Sequence, residues 1–303
     1  MDVLVTGISG YIGAQLVPRL LADGHSVRGM SRRGGVGKSV EVARADAVSG
    51  AGLEHALAGI DVAYYLIHSM EPSTDGSFGQ RERSAAENFA RAARAADVQR
   101  IIYLGGPRPP GAALSAHLAS RLAVEEILLA AVPSSTAFRA SIVIGARSRS
   151  FRFLVRLVER MPVLLVPAWR THRTSPVDQR DVIELLARAA TSDLVHGLSL
   201  DAAGPEVVSY GELIDRIREQ MLVSRPTVGL TRLSLTPIAS RISALIAGEE
   251  HSLIGPLMES LESDLLPRDN RGARLLGVRL HSVDAAIERA LREWEATEPL
   301  AAR

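Results

Sequence analysis

Short apolar runs alternate with longer amphipathic stretches along the first half of the chain. The runs predict β-strands, at Asp2–Thr6, Ser26–Met30, Val40–Ala43, Val62–Ile67, Arg100–Leu104 and Thr136–Ile144. The stretches between them predict helices, at Tyr11–Ala22, Gly52–Ala58, Phe78–Ala96 and Leu114–Ala131. This alternation is typical of an α/β fold in which right-handed crossovers build a parallel sheet with helices on both faces.

The alternation ends after Gly145, and the second half of the chain has a different pattern. Helices are predicted at Ser150–Arg160, Gln179–Ala190, Tyr210–Met221, Ser234–Ala247, His251–Leu261 and Ser282–Trp294, with a strand at Gly197–Asp201. We therefore expect a doubly wound sheet domain in residues 1–145 and a smaller C-terminal substrate lobe in residues 146–303, part of which returns to the sheet. The apolar helix pair around Gly248 is interpreted as core, with a lid, a dimer face or a peripheral membrane contact as alternatives.

A glycine-rich turn follows the first predicted strand and opens the first predicted helix. Residues 6–13 read TGISGYIG, with glycines at 7, 10 and 13. Such a turn lets backbone approach a ligand, and the helix start offers N–H groups and a partial positive charge. The pattern predicts a dinucleotide pyrophosphate site formed by Gly7, Ser9, Gly10, Tyr11, Ile12 and Gly13. The alternative is a merely tight strand–helix connection.

Composition narrows the class of protein. The formal net charge is +1 over 303 residues, which argues against a general nucleic-acid binder. The chain has no cysteine, so disulfides and thiolate chemistry are excluded, and no His, Asp and Glu cluster has metal-ligand spacing. No apolar stretch reaches the ~18 residues that span a bilayer. We expect a cytoplasmic protein with a small-molecule substrate and neither nucleic acid nor membrane as a partner.

Several segments together resemble the atypical and extended short-chain dehydrogenase/reductases, most closely the NmrA-like NAD(P)H-binding branch. The segments that carry this resemblance are TGISGYIG at 6–13, Asp46, DVAYYLIHSM at 61–70, the predicted helix around Asn88, RIIYLGG at 100–106, FRASIVIG at 138–145, PVDQRDV at 176–182 and LDAAGPEVVSYGEL at 200–213. The resemblance implies a Rossmann fold, a nicotinamide cofactor and a substrate pocket between sheet and lobe. It also implies a possible homodimer through Phe78–Ala96 and Leu114–Ala131.

The end of the second predicted strand indicates which cofactor binds. NAD-binding proteins place an acidic residue there for the ribose 2′-hydroxyl, whereas this chain has Ser31, Arg32 and Arg33. Because a guanidinium can hold the 2′-phosphate with two hydrogen bonds, we predict NADP(H) over NAD(H).

The resemblance places further residues around this cofactor. Asp46 and Ala47 are expected beneath the adenine, although Asp46 could instead cap the helix near Gly52. Leu66, Ile67, His68 and Gly105 are expected to line the cofactor at the ends of their strands, and a side chain at Gly105 is expected to crowd the nicotinamide.

The usual catalytic residues of the resembling proteins, a Ser or Thr with Tyr-x-x-x-Lys, are missing. The chain's one lysine is Lys38, and glycines stand at the serine position. His117 and Arg121 have the Tyr-x-x-x-Lys spacing and share one helix face. We interpret His117 as an acid/base and Arg121 as the group that orients ribose or substrate. They could instead form a surface pair, or His117 could contact ligand without proton transfer. His68 is a second catalytic candidate, with a structural loop cap as the alternative.

These observations favour an NADP(H)-dependent oxidoreductase that acts on a small carbonyl, enone or imine. A non-catalytic NADP(H)-binding sensor or regulator is the first alternative, because the usual catalytic residues are missing. A non-redox isomerase, epimerase or cyclase on the same fold is the second.

Overall fold

One mixed sheet forms the centre of the protein. The computed structural model describes residues 1–36, 40–67, 78–108, 115–160, 164–166, 168–223, 227–229, 263–298 and 300. In these residues the main sheet has the order β12-β7-β6-β5-β1-β2-β4-β3. Its strands are β1 (Asp2–Thr6), β2 (Ser26–Ser31), β3 (Gly35–Val36), β4 (Glu41–Arg44), β5 (Val62–Tyr65), β6 (Arg100–Gly105), β7 (Thr136–Arg139) and β12 (Ser199–Asp201). All of them run parallel except β3, which pairs antiparallel with β4.

The strand order reverses between β1 and β5. From β1 the chain builds outward through β2 and β4, and it then crosses back so that β5 pairs with the other edge of β1. Thr6 extends this junction beyond the paired residues, because its hydroxyl donates to the Tyr64 carbonyl and accepts from the Leu66 amide, both at 2.9 Å. Ligands of doubly wound sheets bind beside such a switch point, beyond the carboxyl ends of the strands.

Helices cover both faces of the sheet, as the alternating sequence predicts. Those described are α1 (Tyr11–Ala22), α2 (Leu53–Leu57), α3 (Phe78–Ala95), α4 (Ala116–Ala131), α5 (Arg149–Arg160), α6 (Gln179–Ala189), α7 (Tyr210–Gln220), α8 (Arg271–Leu275) and α9 (Val283–Glu295). Helices α2, α3 and α4 pack on one face with Leu4 and Tyr65, and α1 and α6 pack on the other with Val3 and Tyr64. Neighbouring residues separate in this way because side chains alternate across a strand.

The second half of the chain divides between this sheet and a core of its own. Helix α6 packs on α1, and β12 extends the sheet beside β7. Helices α5, α7 and α9 bury Phe151, Tyr210 and Trp294 in a separate cluster. Short pairings complete this part of the chain, between β8 (Val143–Ile144) and β11 (Val177–Asp178), β9 (Leu164–Val166) and β14 (Thr227–Gly229), and β10 (Arg173–Thr174) and β13 (Val208–Ser209).

The prediction of one strand over Thr136–Ile144 was wrong. The chain leaves the sheet after Arg139, and the Ala140 amide donates to the Gly105 carbonyl. Residues Val143–Ile144 then pair with β11 rather than β6. The sequence does not show this change, because the residues before and after Ala140 are mostly buried, although they pair with different strands. The predicted helices at Ser234–Ala247 and His251–Leu261 lie outside the described residues. Within the described part of the chain, no helix has both the length and the apolar character needed to cross a membrane.

A buried ion pair joins α4 to the sheet. Arg139 donates through Nε and Nη2 to the Glu125 carboxylate at 2.8 and 2.5 Å, and each side chain is only 4% exposed. The Ser199 hydroxyl donates to the same carboxylate at 2.5 Å. The Glu125 carboxylate therefore connects α4 to both β7 and β12.

We predict that Arg139→Met lowers the free energy of unfolding by about 3–5 kcal/mol, because it leaves the Glu125 charge buried without its partner. Denaturant titration measures the loss. Adding Glu125→Gln should recover most of it, and Arg83→Met should cost under about 1 kcal/mol because its ion pair with Glu87 is exposed. If Arg139→Met and Arg83→Met lowered the free energy of unfolding by equal amounts, this account of the buried ion pair would be contradicted.

Candidate functional site

The glycine turn brings α1 against the end of β1. Gly7 has a φ of +62°, and a Cβ there would lie 2.9 Å from the Leu66 carbonyl oxygen. A Cβ at Gly13 would overlap the Gly7 carbonyl. Gly10 precedes α1 without any side-chain cap. The first turn of α1 therefore lies against the end of β1 with no side-chain cap, and helix starts of this kind can bind phosphate groups.

A cavity of about 280 Å³ lies beside this turn at the carboxyl ends of the strands. Several predicted cofactor residues line it, namely Gly7, Ser9, Ser31, Arg32, Asp46, Ala47, Ile67 and Arg121. Residues that sequence reasoning did not assign complete the wall, namely Met30, Ala45, Val48, Tyr65, Arg81, Glu82, Ala85 and Val124. The structure thus brings together residues from the β1 turn, β2, the chain after β4, β5, α3 and α4.

Other predicted residues are not among those that line this cavity, namely Gly10, Tyr11, Ile12, Gly13, Arg33, Leu66, Gly105 and His117. The Tyr11 hydroxyl donates to Gln179 Oε1 at 2.8 Å, which directs its ring toward the second half of the chain. A Cβ at Gly105 would lie 2.6 Å from the Tyr103 ring, so this glycine makes room for a buried tyrosine. His68 lies outside the described residues.

Two hydrogen-bonded turns shape the end of the cavity at β2 and β4. The Ser31 hydroxyl accepts from the Gly34 amide at 3.1 Å, and Asp46 Oδ1 accepts from the Val48 amide at 2.9 Å. Gly52, rather than Asp46, precedes α2, so Asp46 does not cap that helix. Asn88 on α3 donates to the carbonyls of Ala47 and Val48 at 3.1 and 2.8 Å. Asn88 thereby holds the segment that carries Asp46 against the cavity.

An ion pair between α3 and α4 forms another part of the wall. Arg121 Nη1 lies 3.2 Å from Glu82 Oε1, and the side chains are 5% and 4% exposed. The Ser120 hydroxyl donates to Glu82 Oε2 at 2.9 Å. Sequence reasoning selected Arg121 but missed Glu82, because only the packing of α3 on α4 brings them together. An acidic residue on a predicted amphipathic helix carries no local signal of this contact.

His117 lies one helical turn before Arg121 and is half-buried. Burial, and then the positive charge of Arg121, lower the pKa of His117 to about 4. The imidazole is therefore neutral near pH 7, where it can donate one hydrogen bond and accept another. No group of three or more His, Asp and Glu residues suited to a metal ion occurs among the described residues.

Comparisons with known proteins agree with this geometry. Residues 7–117 match a family model described as NAD(P)H-binding. The fold resembles the structure of a nucleoside-diphosphate-sugar epimerase from Staphylococcus aureus, with a TM-score of 0.77, 14% identity and coverage of 95% of this chain and 100% of that one. It also resembles an NAD-bound short-chain dehydrogenase/reductase superfamily protein from Agrobacterium tumefaciens, with a TM-score of 0.71, 18% identity and coverage of 98% and 96%.

Residues 7–117 therefore belong to an NAD(P)H-binding domain, and the fold of the chain is similar to that of short-chain dehydrogenase/reductase proteins. Among curated proteins the chain is 30% identical over 185 residues to a ceramide reductase of Caulobacter vibrioides, covering 59% of this chain and 57% of the relative. It is 23% identical over 245 residues to the NADH-ubiquinone oxidoreductase 40 kDa subunit of Neurospora crassa, covering 78% and 64%. The chain thus spans less than two thirds of these relatives. The NmrA-like branch stays a prediction.

The low pKa of His117 predicts a pH dependence of stability. An unfolded histidine titrates near 6.5, so between about pH 6.5 and 4 the unfolded chain takes up a proton that the folded protein does not. Stability should therefore fall as the pH is lowered through this range, and His117→Gln should reduce the slope. Denaturant titrations from pH 7.5 to 4 measure this, with the exposed His55 as control in His55→Gln. An NMR titration midpoint for His117 above 6 would contradict the prediction.

Proposed function

We propose that this protein is an NADP(H)-dependent oxidoreductase that reduces a carbonyl substrate, with small enones and imines as related candidates. The observation that carries the cofactor preference is the position of Arg32, which lines the cavity beside Ser31 at the end of β2. The described wall has no carboxylate from β2 at this point, where NAD-binding proteins place one for the ribose 2′-hydroxyl. Arg32 is exposed, so a 2′-phosphate can reach its guanidinium.

The neighbouring Arg33 offers a matched comparison, because it is also exposed but does not line the cavity. A charge-assisted hydrogen bond contributes roughly 1.5–3 kcal/mol. A phosphate contact by one guanidinium therefore corresponds to a preference of about ten- to a hundredfold for NADPH over NADH. The glycine turn would bind the pyrophosphate, which NADPH and NADH share, so it contributes nothing to the preference between them.

We predict that Arg32→Ala weakens NADPH binding about ten- to a hundredfold and leaves NADH binding within about twofold, because only the 2′-phosphate contact is lost. Arg33→Ala should change either affinity far less. Fluorescence titration of both reduced cofactors against the three proteins measures this. Equal wild-type affinities for NADPH and NADH, unchanged in Arg32→Ala, would overturn the cofactor proposal.

The names of two curated relatives support carbonyl reduction as the reaction. One is named a ceramide reductase, and another, 32% identical over 111 residues, is named a ketoreductase of a farnesyl-bearing dihydroquinoline oxide from Stigmatella aurantiaca. When bound, the reduced nicotinamide supplies the hydride. The neutral imidazole of His117 would donate a hydrogen bond to the carbonyl oxygen and polarise it, in the manner of neutral histidine electrophiles. The proton then comes from water rather than from imidazolium.

We predict that His117→Ala lowers kcat about a hundredfold with a small change in KM, because it removes one hydrogen-bond donor to the developing oxyanion. NADPH oxidation with a panel of short-chain and long-chain ketones, enones and imines measures this. Full activity in His117→Ala would contradict the proposed hydrogen bond from His117 to the substrate. It would not contradict the proposal that the protein is a reductase.

A non-catalytic NADP(H) sensor is the second candidate. The observation that favours it is the loss of the usual catalytic residues: a glycine (Gly105 or Gly106), His117 and Arg121 stand where the resembling enzymes carry Ser or Thr, Tyr and Lys. Cofactor binding with no turnover on the whole panel would favour the sensor over the reductase.

A further inference from the structure

Glu82 is a buried acid in the wall of the cofactor cavity, and the reductase proposal gives it no role. It lies in the first turns of α3 and is 4% exposed. One carboxylate oxygen contacts Arg121 at 3.2 Å, and the other accepts from Ser120 at 2.9 Å. Both partners lie on α4, so α4 holds both oxygens of this carboxylate. Burying a carboxylate and a guanidinium is costly, and two well-packed apolar residues would often be at least as stable. A buried ion pair that also lines a ligand cavity therefore calls for a functional explanation.

The strand order places this ion pair relative to the cofactor. The adenosine half of a dinucleotide lies over the first strands of the fold and ends at the acceptor site after β2. Arg32 and Asp46 line that end. Helix α4 follows β6, which lies on the opposite side of β1 from β2. The pair of Glu82 and Arg121 therefore lies on the side of the switch point where the second nucleotide of the cofactor belongs.

The charges at the two ends of the cavity differ in kind. Arg32 is an exposed cation, which suits a phosphate. Arg121 has its charge matched by Glu82 within the wall, so this pair adds no net charge to the cavity, and Arg81 is a separate cation in the same wall. Together the pair offers guanidinium donors beside carboxylate acceptors, and this combination suits a neutral vicinal diol, whose hydroxyls both donate and accept.

We propose that Glu82 is a positioning residue for the nicotinamide ribose: it holds Arg121 against the cavity, cancels its charge and completes a neutral diol-binding pair. This inference rests on the proposed function, because it takes a nicotinamide dinucleotide as the ligand. It has an electrostatic consequence. With Glu82 neutralised, the remaining Arg121 cation repels the positive pyridinium of NADP⁺ but not the neutral dihydropyridine of NADPH.

The experiment compares Glu82→Gln with wild type for binding of NADPH, NADP⁺ and 2′,5′-ADP, which lacks the nicotinamide ribose. We expect NADPH to bind about tenfold more weakly, through loss of a charge-assisted contact. NADP⁺ should lose several-fold more than NADPH, and 2′,5′-ADP should stay within about twofold. Glu87→Gln is the matched control, since Glu87 lies on the same helix in an exposed pair with Arg83, and it should change none of the three.

Two results would overturn the proposal. One is an equal loss for 2′,5′-ADP and the dinucleotides, which would make the pair purely structural. The other is unchanged binding of all three. If Glu82→Gln does not fold by circular dichroism, the double variant Glu82→Gln/Arg121→Met removes both buried charges, and wild-type affinity for NADPH in it overturns the proposal as well.

The wild-type titrations separate this inference from the function on which it rests. Wild type that binds neither NADPH nor NADH refutes the proposed function itself. Wild type that prefers NADH refutes only the NADP(H) preference, and the same variants are then measured with NADH, NAD⁺ and 5′-ADP, with the same expected order of losses.

Discussion

The close approach of three backbone segments at the end of β1 is the constraint on which the rest of the structure depends. Gly7 adopts a left-handed conformation against the Leu66 carbonyl, and Gly13 brings α1 onto the Gly7 carbonyl. Any side chain at these positions would separate α1 from the strand. Because the approach is so close, the uncapped start of α1 lies at the switch point, and the cavity forms around it.

Helix α4 links this cavity to the centre of the sheet through two buried ion pairs, one turn apart. Arg121 pairs with Glu82 on α3, and Glu125 pairs with Arg139 on β7. The first pair lines the cavity, whereas the second anchors the helix to the sheet. Each buried charge restricts where its partner can lie, so a shift of α4 would disrupt both pairs at once. The position of the candidate catalytic face is thus set by electrostatics as well as by apolar packing.

The parts of the fold that follow from local pattern were predicted closely. The bounds of β1 and α1 agree with the predictions at both ends, because an apolar run followed by a glycine turn and an amphipathic stretch is a local property. The single strand over Thr136–Ile144 was wrong because pairing partners, not the run itself, decide where a strand leaves a sheet. Glu82 was missed as a site residue for the same reason, and Asn88 was named only as part of the resemblance, since the contacts of both residues lie on other elements.

The sequence by itself determined the class of fold, the glycine turn after β1 and the absence of the usual Tyr-x-x-x-Lys residues. These depend on residue identity and spacing along at most a few turns of chain. Only the tertiary structure decided that Arg32 lines the cavity while Arg33 does not, that Arg121 is matched by Glu82, and that His117 is neutral near pH 7. The physical reason is that exposure, ion pairing and pKa depend on neighbours distant in sequence, which meet only when the helices pack on the sheet.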